Sequence, residues 1–249
     1  MNPTSPLFGH TRTVVASRHA LIAPDGHVPS AFPEWLDATA YVMISPAMGA
    51  DFSQIRIVYP SGGGEAMFPP DEHEHVTYVV AGTAWAEWDD NTHEMQTGAF
   101  LFTPPGTPLR LRGNELTVLT VFRKIHEPQP GFGPPPLTFG NAKDVQGEPF
   151  LGNEKAVLKV LLPTDPRFDM AVNIFTYQPG ATLPFVETHI MEHGLLMLSG
   201  QGVYRLENAY YPVTAGDVIW MAPYCPQWFV AMGDEPASYL YYKDINRFP

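Results

Sequence analysis

The chain has 249 residues, 45% of them apolar, with 21 glycines, 27 prolines and a formal net charge of −12. That length fits one large domain or two of about 100–150 residues, and so much glycine and proline suits a turn-rich β protein rather than a helical bundle. The acidic balance, with no basic run, argues against a nucleic-acid partner, and a single cysteine, Cys225, excludes an internal disulfide framework and a zinc–thiolate cluster.

In chain order, Met1 to Ala20 holds Arg12, Arg18 and two histidines but no apolar h-region, so no signal peptide is expected. Residues 1–35 read as an arm that pairs either with a sheet edge or with another module. Short apolar runs follow at Val76–Val80, ending at Gly82, then Ala84–Trp88, Ala99–Thr103 and Thr117–Phe122. Alternation within these runs predicts strands, and Pro104-Pro105-Gly106 interrupts them. Glu127–Phe150 contains Pro128, Pro130, Pro134, Pro135, Pro136 and Pro149, and reads as a stiff, ordered connector. The second half repeats the pattern with Leu195–Leu198, Val203–Leu206, Val218–Met221 and Tyr239–Tyr242; Gly200-x-Gly202 suits a tight hairpin. No segment has a sustained helical period, and none reaches the roughly 18 apolar residues that cross a bilayer, so a cytoplasmic location is expected.

The two halves match at one offset. Gly62, Gly82 and Gly98 precede Gly180, Gly200 and Gly216 by 118 residues (180−62, 200−82, 216−98), as do Tyr59 and Tyr177, Glu74 and Glu192, His75 and His193. Such a shared spacing indicates duplication of one β module. The expectation is an all-β chain of two tandem modules of sandwich or barrel type, residues 1–135 with the arm and 136–249.

The second half contains Gly180-x6-Glu187-x-His189-x3-His193-x6-Gly200, and Gln227 lies eleven residues after Gly216. Glu187 and His189 share one face of an extended chain, and His193 joins them if the extension continues. This pattern resembles the two motifs of the cupin superfamily, whose folds are jelly-roll barrels. There a His-x-His pair and a Glu precede one glycine and a final His follows the second. Here Glu187 stands for the first His, His193 for the Glu and Gln227 for the last His. The resemblance implies a metal held by Glu187, His189, His193 and Gln227. Two imidazoles and two oxygens suit Mn²⁺ or Fe²⁺, with Zn²⁺ as an alternative. Subtracting the repeat offset gives Pro69, Asp71, His75 and Leu109 in the first half, of which two cannot ligate, so that module is expected to lack the metal. A competing motif, His189-Ile-Met-Glu192-His193, matches the H-x-x-E-H signature of one protease class, but it requires a helix and its flanks are not those of one. Under the metal reading, Glu192→Gln is expected to be mild.

Glu187-Thr-His189-x-x-Glu192-His193-Gly194, Leu198-Ser-Gly-Gln-Gly-Val-Tyr204 and Tyr241-Tyr-Lys243-Asp-x-Asn246-Arg247 resemble the (S)-ureidoglycine aminohydrolase family of bicupins. The likeness is strongest over residues 160–247. It implies release of ammonia from (S)-ureidoglycine to give (S)-ureidoglycolate, in allantoin and purine catabolism, with Mn²⁺ in the C-terminal module. It also implies that Lys243, Tyr204 and Tyr239 line the pocket as catalytic groups. A homo-oligomer, dimer or larger, is expected, with a small molecule as the other partner and neither nucleic acid nor membrane. Two other readings compete: a different cupin metalloenzyme, such as an Fe²⁺ dioxygenase, and a non-catalytic small-molecule-binding cupin.

Overall fold

The computed structural model describes residues 10–33, 35–88 and 90–247, so residues 1–9 of the expected arm lie outside the described residues. Strands occupy the chain throughout. The arm gives β1 (Val14–Val15) and β2 (His19–Ile22). The first module comprises β3 (Thr39–Ile44), β4 (Ser53–Tyr59), β5 (Gly64–Phe68), β6 (His73–Ala81), β7 (Thr83–Trp88), β8 (Asn91–Gln96), β9 (Ala99–Thr103), β10 (Leu109–Gly113) and β11 (Thr117–Ile125). The connector contributes β12 (Thr138–Asn141) and β13 (Glu148–Phe150). The second module comprises β14 (Asn153–Val160), β15 (Met170–Tyr177), β16 (His193–Ser199), β17 (Gln201–Leu206), β18 (Ala209–Thr214), β19 (Val218–Met221), β20 (Gln227–Met232) and β21 (Ala237–Asp244). Among the described residues helix is confined to two 3₁₀ turns, Pro24–Gly26 and Pro46–Met48, and no helix is long and apolar enough to cross a membrane.

The all-β expectation holds, with one correction to the barrels: the sheets do not close. Each module is a large antiparallel sheet facing a small one, the jelly-roll arrangement. The first pairs β12-β9-β6-β11-β4-β3 with β5-β10-β7-β8, and the second pairs β1-β2-β19-β16-β21-β15-β14-β13 with β18-β17-β20. The duplication is visible strand by strand, β6 answering to β16 and β11 to β21. Pairing also crosses the 135/136 boundary in both directions. The arm strand β2 extends the second module's sheet beside β19, and β12 extends the first module's sheet beside β9. Arg12 clamps the arm there through two hydrogen bonds, 2.7 and 2.6 Å, to the fully buried Asp217 carboxylate.

Strand parity separates three cores. In β16 and β21, Leu195, Met197, Tyr239 and Tyr241 face the interior of the second module. Their neighbours Leu196, Leu240 and Tyr242 face outward, into a core shared with Phe52, Phe102 and Phe122 of the first module. The first module has its own interior around Ile57, Tyr59, Leu101 and Leu119. The large sheets thus pack back to back, and the two small sheets lie outermost. The same parity carries His193 and Lys243, at the ends of β16 and β21, into the second module's interior.

Candidate metal centre

Three elements bring the expected ligands together. His193 opens β16, and Gln227 opens β20. Glu187 and His189 lie on the irregular segment before β16, where Glu187 forms an isolated antiparallel bridge to Gln227, with N–H···O distances of 2.8 and 2.9 Å. That bridge sets the first and last ligand side by side. His189 is anchored by its carbonyl, which accepts the Tyr224 N–H at 2.7 Å. The segment from His189 to Glu192 is not helical, so the protease-like motif lacks the helix it needs.

The four side chains border one cavity, with His189 at the centre of the group. His189 Nε2 lies 3.2 Å from His193 Nε2, 3.0 Å from Gln227 Nε2 and 4.0 Å from Glu187 Oε2. His193 Nδ1 is 3.1 Å from the Tyr242 carbonyl, which accepts its proton and leaves the Nε2 lone pair facing His189. Tyr204 Oη donates to Gln227 Oε1 at 3.3 Å, which turns the amide nitrogen toward His189. Burial, with the neighbouring His189, drives His193 down to about 3, and burial also lowers His189, so both rings are neutral. Two nitrogens each about 2.1 Å from a common ion, at right angles, would stand about 3.0 Å apart. The two imidazole nitrogens are thus spaced as ligands of one divalent ion, whereas the Gln227 amide turns its nitrogen toward His189 and its oxygen toward Tyr204, and Glu187 stands 4.0 Å from His189; an N₂O₂ set needs the amide rotated by about 180° and the carboxylate drawn in.

The expected catalytic groups border the same cavity, of about 230 Å³, which is also lined by Phe150, Phe175, Met191 and Tyr241. Lys243 stands directly opposite His193 in the ladder between β16 and β21. Burial lowers its pKa, opposed by the Glu187 carboxylate, and burial raises Glu187 while Lys243 lowers it. Tyr204 and Tyr239 are buried, and desolvation pushes both phenols well above their ordinary value, so they remain O–H donors. Tyr239 shares a hydrogen bond of 3.2 Å with Tyr177. Tyr241 is a pocket residue that the sequence reading missed. Its signal was available, because it lies two residues from both Tyr239 and Lys243 on one strand.

The first module shows the same framework with other side chains. Arg123 stands opposite His75, as Lys243 stands opposite His193. Its guanidinium donates to Asp71 Oδ2 at 2.7 Å and His75 Nε2 at 3.2 Å, and lies 3.0 Å from His73 Nδ1. A fixed cation is thus built in among the groups that most resemble ligands, while Pro69 and Leu109 offer no donor atoms.

A further cluster, Glu74, His126 and Asp169, lies between the modules and was not anticipated. Its ligand-type atoms lie within 4.8 Å of one another. His126 Nδ1 is 2.8 Å from Glu74 Oε2 and 3.0 Å from Asp169 Oδ1. The Lys124 ammonium is already 2.9 Å from Asp169 Oδ2, which also accepts the Glu127 N–H at 2.8 Å. Burial lifts Glu74 to about 8. Burial opposes ionisation of Asp169 as well, but hydrogen bonds from Glu74 and the Glu127 N–H, with the Lys124 charge, hold it at about 2. The cluster is a hydrogen-bonded network that carries its own cation.

Comparison with known proteins gives the family. The cupin domain family model matches residues 173–242, the stretch from β15 to β21 that holds His189, His193, Gln227 and the tyrosines. A rice (Oryza sativa subsp. japonica) protein named "Probable (S)-ureidoglycine aminohydrolase" is 37% identical over 246 residues, covering 98% of this chain and 78% of the relative. The (S)-ureidoglycine aminohydrolase of Arabidopsis thaliana is 36% identical over 261 residues, covering 100% and 85%. Among solved structures, the protein Ylba from E. coli superposes with a TM-score of 0.86 at 31% identity, over 96% of each chain. With near-full-length relatives at this level of identity, the chain belongs to the (S)-ureidoglycine aminohydrolase family of cupin proteins.

Proposed function

We propose that this chain is an (S)-ureidoglycine aminohydrolase whose C-terminal module holds one divalent ion, Mn²⁺, through Glu187, His189, His193 and Gln227. The observation that carries the reading is the convergence of these four donors and Lys243 on one cavity. (S)-Ureidoglycine carries an amine and a ureido group on one carbon beside a carboxylate. In the reaction a water oxygen bonds to that carbon, the bond to the amine nitrogen breaks, and ammonia leaves with a proton derived from the water. The product is (S)-ureidoglycolate, which places the reaction in allantoin catabolism.

A divalent ion bound there supplies Lewis-acid anchoring of the substrate's carboxylate or amine. The chain's own residues do the rest. Lys243, made less basic by burial, offers its ammonium to the carboxylate or to the departing nitrogen. Tyr204 and Tyr239, kept protonated, donate hydrogen bonds to carboxylate or ureido oxygens. Phe150 and Phe175 give the cavity apolar walls. A pocket with metal ligands on one side and Lys243 fixed beside them presents one face of a chiral carbon. Mn²⁺ suits the N₂O₂ set because it accepts mixed imidazole and oxygen ligands and retains open positions. Glu187→Ala and His193→Ala test the reading: each is expected to lose bound metal and ammonia release while keeping the folded circular-dichroism spectrum. Full activity in metal-stripped protein would overturn it.

A further inference from the structure

The strand that presents His193 is gripped from behind by the first module. Glu192, its chain neighbour, is only 2% exposed. Its Oε1 accepts the Asp51 N–H at 2.9 Å and its Oε2 accepts the Trp220 indole N–H at 3.2 Å. The Glu192 N–H in turn donates to Asp244 Oδ1 at 2.5 Å, and Asp244 directly follows Lys243. Phe52, next to Asp51, stacks on Tyr242 with ring centroids 4.2 Å apart, and the Tyr242 carbonyl is the acceptor for His193 Nδ1. Phe52 also presses on Gly194, where a Cβ would sit 2.5 Å from the ring. Asp51 and Phe52 therefore bear on residues flanking both His193 and Lys243.

We infer that the contact of Asp51 with Glu192 is a positioning device, through which the N-terminal module sets His193 and Lys243 at the metal site; the inference rests on the metal reading above. The duplication supplies an internal comparison. Asp51 and Glu74 recur 118 residues later as Asp169 and Glu192 (169−51, 192−74). Glu74 of the first module meets Asp169 of the second through His126, as Glu192 of the second meets Asp51 of the first. Each module's glutamate thus reaches the other's aspartate loop. Both glutamates are buried, yet only Glu192 adjoins the candidate ligands. Glu74 adjoins His75, whose ring is tied to Arg123.

The substitution Glu192→Gln keeps the side chain's size but replaces one acceptor oxygen with an amide nitrogen. Either the Asp51 N–H or the Trp220 N–H then loses its partner in a buried place. The strain falls on a residue bonded directly to His193, and outer partners of a ligand set its direction and hence metal affinity. Trp220→Phe removes one donor and leaves the carboxylate in place, a smaller disturbance of the same contact.

The test is titration of Mn²⁺ into metal-free full-length protein, with free Mn²⁺ read by its electron paramagnetic resonance signal and melting followed in parallel. Glu192→Gln is expected to weaken Mn²⁺ binding about tenfold, with Trp220→Phe between it and wild type. Glu74→Gln, the matching contact on the other side, is expected to lower the melting temperature yet bind Mn²⁺ as wild type does. Unchanged affinity in Glu192→Gln overturns the inference, as does an equal loss in Glu74→Gln, which would mark the effect as general destabilisation. If Glu192→Gln fails to fold, unchanged affinity in Trp220→Phe overturns it alone. Wild-type protein that takes up no Mn²⁺ would instead overturn the metal reading, and this inference with it.

Discussion

Lys243→Met removes the cationic side chain bordering the cavity while keeping its length and apolar stem. Both flanking histidines are neutral, so no other side chain there supplies positive charge to a substrate carboxylate or a proton to a departing amine. Two unit charges about 4 Å apart interact by about 4 kcal/mol at an effective dielectric near 20. Substrate desolvation offsets part of this, leaving about 3–4 kcal/mol, or about a hundredfold to a thousandfold in kcat/KM. That range agrees with the usual contribution of a positioned acid or base. Metal content should be retained, because Lys243 is not a ligand, and the loss of a half-buried ammonium should leave the melting temperature nearly unchanged. The pH profile should change as well. Burial lowers the Lys243 pKa, so wild-type activity should decline at alkaline pH below the ordinary lysine range, and the variant should lack that limb. The assay is steady-state ammonia release from freshly generated (S)-ureidoglycine, with metal measured on the same samples. A variant with full metal and kcat/KM within about tenfold of wild type, under about 1.4 kcal/mol, would refute the role given to Lys243.

Asp169→Asn tests the network between the modules. The Asp169 carboxyl is held at about 2, below its ordinary value of 3.8, so its stabilisation is complete above pH 4 and is lost as pH falls toward 2. Chemical denaturation should show the variant less stable by on the order of 2 kcal/mol at pH 6, the gap closing toward pH 2; a gap independent of pH would contradict the ion-pair account. Arg123→Met leaves Asp71, His73 and His75 without their cation and should cost about 1.5–3 kcal/mol by denaturant titration, without lowering ammonia release per folded molecule. Tyr204→Phe removes the hydrogen bond to Gln227 but keeps the ring packed against Phe229. Stability should fall by no more than about 1.5 kcal/mol, while Mn²⁺ affinity, read by titration, falls about tenfold.

Much of this was legible in the sequence because the duplication spaces its glycines and strands regularly. The strand runs Val76–Val80 and Leu195–Leu198 fall inside β6 and β16, and the turns break where glycine and proline stand. Gln227, placed only by its distance from Gly216, lies beside Glu187 because β20 begins there and the two backbones bridge. Glu187 and His189 both border the cavity, although their segment is irregular rather than the extended strand on which parity would pair them. What was hidden depends on contacts distant in the chain. The arm in fact meets both modules, β2 lying beside β19 and Ser30 bridging Ala40 on the edge strand β3, which the sequence reading poses as alternatives. Glu192 looked expendable beside two histidines, yet its carboxylate is buried and accepts two hydrogen bonds, one of them from the other module. The pairing of Asp51 with Glu192, and of Glu74 with Asp169, has a trace in the shared offset, but the offset alone does not say that the large sheets pack back to back.

The most direct test of the central claim is metal analysis of purified protein combined with an ammonia assay on (S)-ureidoglycine, before and after chelation and with oxygen uptake recorded alongside. The account predicts one Mn²⁺ per chain, ammonia release that disappears on chelation and returns with Mn²⁺, no oxygen consumption, and loss of the metal in His193→Ala. Ammonia release that survives complete removal of metal, or metal retained in full by His193→Ala, would contradict it.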